Sequence, residues 1–204
     1  MSNIVDPSAD SLAARIAARV RAERERRRWT LAQLADASGV SPAMISRIER
    51  GESSPTAVVL GKLSAAFQIG VASLLALAEG GPDAMPGPAA GAAGVRRGPD
   101  AAEWCDPGTG YRRRQITGPR FPAEIAEIRL PAGARVPYPA AAFAFVRQLV
   151  WVIDGRLTFH DGETVHELDA GDTVELGPPA ERVFANTTDA ECRYAVVLTR
   201  DARP

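Results

Sequence analysis

Residues 30–67 read TLAQLADASGVSPAMISRIERGESSPTAVVLGKLSAAF, and the punctuation of this stretch decides the front half of the chain. Thr30 stands where a helix N-cap belongs, with Gln33 three positions on, the reciprocal arrangement that satisfies free backbone donors at a helix start. The spacing predicts a helix from about Leu31 to Ser38. Gly39 suits the left-handed residue that closes such a helix, and Ser41-Pro42 is a second start signal with proline in the first helical position. The next helix then runs to about Arg50. Ile45 and Ile48 face inward with Val40, which leaves Ala43, Ser46 and Arg47 on the outer face.

Upstream, Leu12, Ile16 and Val20 recur every four residues, one apolar stripe on a first helix that continues through Arg24–Arg28 and ends near Trp29. Downstream, Gly51 to Pro55 is a polar turn, Val59, Leu60, Leu63 and Phe67 mark a fourth helix, and Leu74, Leu75 and Leu77 a short fifth. Residues 1–78 are therefore expected to form an all-α five-helix bundle. From Glu79 to Pro99 the chain is rich in glycine, proline and alanine with little apolar periodicity, which describes a flexible linker over 79–99 between two independent units.

The 204 residues leave room for two modest domains, an α+β chain with all-α front and all-β back. The net charge of −1 hides an asymmetry: Met1–Ala78 carries ten Lys/Arg against seven Asp/Glu, +3, and Glu79–Pro204 fourteen against eighteen, −4. The basic surface lies in front. No apolar run approaches a membrane span and no basic-then-apolar leader opens the chain, so a cytoplasmic protein is expected, with no membrane partner. Cys105 and Cys192 lack CxxC spacing and read as free, inert thiols.

Residues 100–204 change to short strands with turns between them. Ile125–Leu130, Leu149–Ile153, Arg156–Phe159, Thr164–Leu168, Thr173–Leu176, Arg182–Phe184 and Tyr194–Leu198 are separated by Pro131-Ala132-Gly133, Asp154-Gly155, Asp161-Gly162 and Ala170-Gly171-Asp172. Such spacing suggests a double-sheet barrel. With Asp161-Gly162 as a two-residue hairpin turn, His160 pairs with Glu163 and Leu157 with His166, so the chain's two imidazoles project from opposite faces.

The front stretch resembles the helix-turn-helix of the XRE, or phage repressor-like, family, with Gln33, Ala35, Gly39, Val40, Ile45, Ser46, Glu49 and Gly51 at the family's positions. The resemblance implies that the third helix enters the major groove of duplex DNA while the second crosses the backbone. It places Ala43, Ser46 and Arg47 at base-contacting positions and Thr30, Gln33, Ser41 and Arg50 near phosphates. Arginine grips guanine through two hydrogen bonds, worth about 1–3 kcal/mol of discrimination. A helical hairpin can also be a mere packing unit, but such a unit has no need of small and polar residues on its outer face.

The back half, clearest at VWVIDGRLTF (150–159) and ELDAGDTVELGPPAERVFAN (167–186), resembles a cupin, a double-stranded β-helix or jelly-roll barrel, and the whole chain resembles the XRE–cupin regulators of bacteria. Cupins hold a metal with a His-x-His pair and a glutamate in one motif and a histidine in another. Here Gln148 takes the glutamate's place and Arg182 the last histidine's, with no His, Glu or Cys between Gly133 and Gly155. An amide binds a divalent ion poorly without charged company and a guanidinium repels it, so neither metal nor other cofactor is expected. Gln148 and Arg182 are instead expected to face a cavity walled by Tyr138, Phe143, Phe145, Phe184 and the Arg112–Arg114 run, a setting for a small polar or anionic effector. The competing reading pairs Arg182 with an internal acid such as Glu127 inside a packed barrel. Trp151, three residues from Gln148, points to the other side of its strand, as core or subunit interface.

The function expected is a ligand-responsive transcriptional regulator, by default a repressor. It is expected to pair as a homodimer on a palindromic operator, because two half-sites about 34 Å apart match a two-fold protein. The rivals are a cupin enzyme with an accessory DNA-binding front, and a constitutive DNA binder whose barrel only dimerises. No Ser-His-Asp or paired-carboxylate arrangement favours the enzyme, and no catalytic residue is expected.

Overall fold

The computed structural model describes residues 7–69, 71, 74, 95, 97–98, 101, 103–118, 121, 123–144 and 146–200. Four α-helices come first: α1 (Pro7–Arg26), α2 (Leu31–Ser38), α3 (Pro42–Glu49) and α4 (Ala57–Phe67). The caps are those the sequence announces. Thr30 Oγ1 accepts from the Gln33 amide while the Gln33 side chain accepts from the Thr30 amide, Gly39 closes α2 at φ 65°, and Ser41 caps α3 ahead of Pro42. Ile16, Val20, Leu34, Val40, Ile45, Ile48, Leu60, Leu63 and Phe67 form the helical core. Four helices are described along their length; of the expected fifth, Val71 and Leu74 are helical and Leu74 is buried, while Leu75 and Leu77 lie outside the described residues. Most of the expected linker, 79–99, lies outside them as well.

The β region holds ten antiparallel strands: β1 (Glu103–Cys105), β2 (Arg112–Gln115), β3 (Ala123–Leu130), β4 (Arg135–Tyr138), β5 (Val146–Asp154), β6 (Arg156–Asp161), β7 (Thr164–Asp169), β8 (Thr173–Glu175), β9 (Arg182–Ala185) and β10 (Cys192–Arg200), with a short 3-10 helix at Ala140–Phe143. They make two sheets, one of six strands in the order β1-β2-β3-β10-β5-β8 and one of four in the order β4-β9-β6-β7. Alternation sends Ala126, Ile128, Leu130, Val150, Val152, Tyr194 and Leu198 inward from the first sheet, to meet Val136, Leu157, Phe159 and Phe184 of the second. Three of these strands, β1, β2 and β4, are additions to those read from the sequence.

The hairpin register differs from expectation. Asp161 pairs with Thr164, and Phe159 with His166, so the loop is Gly162-Glu163 rather than Asp161-Gly162. Gly162, at φ 60°, supplies the positive φ that a II′-type loop asks of its first residue. The pairing slides by two positions, which preserves faces: His166 stacks on Phe159, and His160, one residue on, projects from the opposite side.

The two halves pack against one another. One contiguous apolar core runs from the bundle into the barrel, with α1 against β1 and α4 against β4 and the 3-10 helix. Asp106, 2% exposed, accepts from the Ala57 amide at 2.9 Å and so places a carboxylate on the N-terminus of α4, where the helix dipole favours it. Gly61 lies so close to Tyr138 that a Cβ there would sit 2.8 Å from a ring carbon.

Gly155, between β5 and β6, has φ 76° and its added Cβ would meet the Glu191 carbonyl oxygen at 2.9 Å. Gly155→Ala therefore combines left-handed strain with a backbone clash, and a loss of about 2–3 kcal/mol is expected in urea denaturation. Stability equal to that of the parent would show that the β5–β6 corner relaxes at little cost.

Candidate functional site

Helix α3 divides cleanly. Ile45 and Ile48 are fully buried, Ala43 and Arg47 are exposed, and Ser46 is half-buried beside them. Arg47 reaches back to the Met44 sulfur at 3.6 Å, and no carboxylate ion-pairs with it among the described residues. Arg50 is held differently: Glu52 takes its guanidinium at 2.6 and 2.8 Å, and Ser46 Oγ accepts from it as well. Thr30, Gln33 and Ser41 stand exposed at the starts of α2 and α3. Six of the seven sequence-predicted residues of the α2–α3 unit are thus exposed and Ser46 is half-buried, with Arg50 engaged by Glu52.

What aims α3 is a residue the sequence reading passed over. Arg24 of α1 grips Glu49, the last residue of α3, through two parallel bonds of 2.7 and 2.8 Å, and donates to the Trp29 carbonyl at 3.0 Å. Both side chains are largely buried, at 15% and 8% exposure. A signal was present, since arginine and glutamate in an otherwise apolar helix contact suggest a fork, but their separation of 25 residues hid the partnership.

The second site is a cavity of about 60 Å³ inside the barrel mouth. Of the residues expected there, Tyr138, Phe143, Gln148 and Phe184 line it, and Arg182 does not. The Arg182 guanidinium is fully buried and donates to Asp161 at 2.8 Å and to the carbonyls of Gly177 and Pro178, lying 4.6 Å from the centre of the Phe143 ring. Its acid is Asp161; Glu127 instead takes Arg114 and Arg129. Phe145 lies outside the described residues.

The cation that does line the cavity is Arg113, on the inward face of β2 and 4% exposed. Its neighbours Arg112 and Arg114 point the other way, as the alternation of a strand requires. Tyr111 and Tyr194 complete the polar wall. Burial raises the pKa of Tyr111, and raises those of Tyr138 and Tyr194 well above the ordinary phenol range, with the neighbouring hydroxyls adding to the effect at Tyr138 and Tyr194. All three hydroxyls therefore stay neutral donors and acceptors.

Among the described residues no three His, Cys, Asp or Glu side chains gather to hold an ion. The Cys192 thiol is buried and its pKa pushed up to about 11, chiefly by burial, whereas Cys105 is exposed. No described helix is long and apolar enough to cross a membrane.

These two sites define a helix-turn-helix head carried on a double-sheet β domain. Compared with known proteins, residues 20–74 match the helix-turn-helix family HTH_3. A stretch of 46 residues is 48% identical to the HTH-type transcriptional regulator SutR of Escherichia coli (strain K12), covering 22% of this chain and 26% of that one, so the match spans about a quarter of the curated relative. An HTH_3 family transcriptional regulator from Vibrio cholerae superposes with TM-score 0.70 at 22% identity, over 93% of this chain and 98% of that chain. The Cupin_2 domain of an XRE family transcriptional regulator from Enterobacter cloacae aligns over 44% of this chain and 95% of its own, with TM-score 0.40 and 16% identity. Residues 20–74 are a helix-turn-helix domain of the XRE type.

Removing one partner of a buried, forked ion pair strands the other charge. Arg24→Ala is expected to cost about 3 kcal/mol in chemical denaturation and to weaken binding to any DNA that α3 reads. A stability change of about 0.5 kcal/mol or less would mean that the fork does not hold α3 in place.

Proposed function

We propose that this protein is a sequence-specific DNA-binding transcriptional regulator, by default a repressor, whose metal-free cupin-like domain senses a small polar or anionic metabolite. The observation that carries the reading is the two-sided character of α3: an apolar inner face of buried Ile45 and Ile48, and an outer face on which Ala43 and Arg47 are exposed and Ser46 is half-buried. A helix so built can enter the major groove, which is wide enough to admit it. Arg47 and Ala43 then reach base edges, and Thr30, Gln33 and Ser41 lie by the phosphates. Arg50 joins them by exchanging Glu52 for a phosphate. Repression is the default because occupying a promoter requires no further contact. No catalytic step is assigned, since the cavity holds no nucleophile paired with a base.

One head reads one half-site, so operator recognition at about 34 Å spacing calls for two copies. The outer face of the six-stranded sheet suits that pairing. Ile125, Val197 and Leu149 share one row across β3, β10 and β5, and Trp151, 47% exposed, stands beside Ala195 in the next. An exposed tryptophan next to an apolar row is the kind of anchor that interface cores favour.

Binding selection on a randomised DNA library tests the head. Arg47→Ala is expected to lose discrimination at one base pair per half-site by roughly 1–3 kcal/mol, with folding unchanged, and identical selected sequences for parent and variant would remove Arg47 from the reading set.

Sedimentation tests the pairing. Trp151→Glu is expected to convert a dimer to monomers and to weaken operator binding, whereas a variant that remains dimeric would place the two-fold contact elsewhere.

A further inference from the structure

Arg113 is a buried cation, and no Asp or Glu is among the described residues that line its cavity. One terminal nitrogen donates to Gln115 Oε1 at 3.0 Å, and Nη2 is buried with no hydrogen-bond partner among the described residues. Gln115 is itself fixed, because its Nε2 donates to Thr117 Oγ1, which accepts from the Ile125 amide. The guanidinium is therefore held in one orientation with a donor unsatisfied, a costly state for a buried charged group. Two oxygens on one planar carbon match its fork best.

Size and lining narrow the ligand further. About 60 Å³ accommodates some four to six water-sized groups at about 10–15 Å³ each. Apart from Arg113 the wall offers neutral hydroxyls, the Gln148 amide and apolar rings, so a dianion or phosphate finds no second cation. An amine meets only the wrong charge. We propose that this cavity binds a short aliphatic monocarboxylate, its carboxylate on Arg113 and its hydrocarbon end against Phe143 and Phe184. The assignment rests on the reading of the barrel as the sensing half. It also gives the ligand a route to the head, because Tyr138 lines the cavity and presses on Gly61 of α4, and Val71, beyond α4, closes another part of the wall.

Calorimetry on the full chain with propionate, propionamide and propylamine tests it. Propionate is expected to bind, and propionamide, equal in shape but uncharged, roughly tenfold or more weakly. Arg113→Gln is expected to reduce propionate affinity by about tenfold or more. Gln148→Glu, on another part of the cavity wall, is expected to abolish binding by supplying a carboxylate of its own, and serves where Arg113→Gln does not fold. Equal binding of propionate and propionamide, or undiminished binding by both variants, overturns the proposal. Binding of propionamide or propylamine in place of propionate overturns the carboxylate assignment and leaves a sensing barrel standing. Absence of binding by these three and by a broad panel of polar metabolites in a thermal-shift screen overturns both.

Discussion

The contact on which the rest turns is the carboxylate of Asp106 at the start of α4. Asp106 belongs to the barrel, where it also accepts from the Gly108 amide and from the amide and hydroxyl of Thr109, and it satisfies the Ala57 amide of the head. Helix α4 is thus capped twice, by its own Thr56 and by a side chain of the other half. A helix start leaves four backbone donors free, so a buried acid supplied from outside fixes both where α4 begins and which way it leans. Gly61 acts one turn further on: only a residue without a Cβ lets Tyr138 lie on the helix backbone. The helix and the barrel mouth are in this way parts of one packed surface.

From α4 the constraint passes to the DNA-facing side through packing and charge. Leu60, Leu63 and Phe67 bury against the same core as Ile16, Ile45 and Ile48, while Arg27, just past the end of α1, lies 4.9 Å from the Phe67 ring centre and donates to the Phe67 carbonyl. Arg24 then holds Glu49 at the far end of α3. Apolar contact alone would let α3 slide or roll, because dispersion has little direction. A bidentate fork has direction, and its burial raises the penalty for misalignment.

The helix-turn-helix was legible because each of its boundaries is written in a residue with a local job: Thr30 and Gln33 for one cap, Gly39 for the left-handed stop, Ser41-Pro42 for the next start. Such signals need no knowledge of distant chain. The strands that escaped notice fail for the opposite reason. Pro137 argues against a strand, yet β4 lies at the edge of its sheet, where a missing donor is tolerated. Arg112-Arg113-Arg114 carries no apolar alternation to mark a strand, and becomes β2 only because Arg113 and Gln115 are turned inward together. The hairpin of β6 and β7 was misjudged by its turn: Asp-Gly reads as a loop pair, but Gly162 prefers the first loop position and Glu163 fills the second. Because the slip was by two residues, the facing of His160 and His166 was still right.

The cavity was half legible for the same reason. Phe184 and the amide of Gln148 follow from alternation along β9 and β5, whereas Tyr138 comes from the unforeseen β4 and Phe143 from the 3-10 helix beside it. Which arginine serves it could not follow from the chain alone, because Arg182 and Arg113 differ in their surroundings rather than in their local sequence. Both are buried. Arg182 also leaves one terminal nitrogen without a partner among the described residues, but it has Asp161 at 2.8 Å, two carbonyls and the face of Phe143, so its charge is balanced inside the protein and its loss would be a matter of stability. Among the described residues Arg113 has one neutral amide. A protein interior tolerates an unbalanced cation only where something else is gained, since each unmet hydrogen bond of a buried charged group works against the fold. The arginine that is poorly satisfied, rather than the one at the position where a barrel of this kind would hold a ligand to metal, is therefore where an external anion has most to offer.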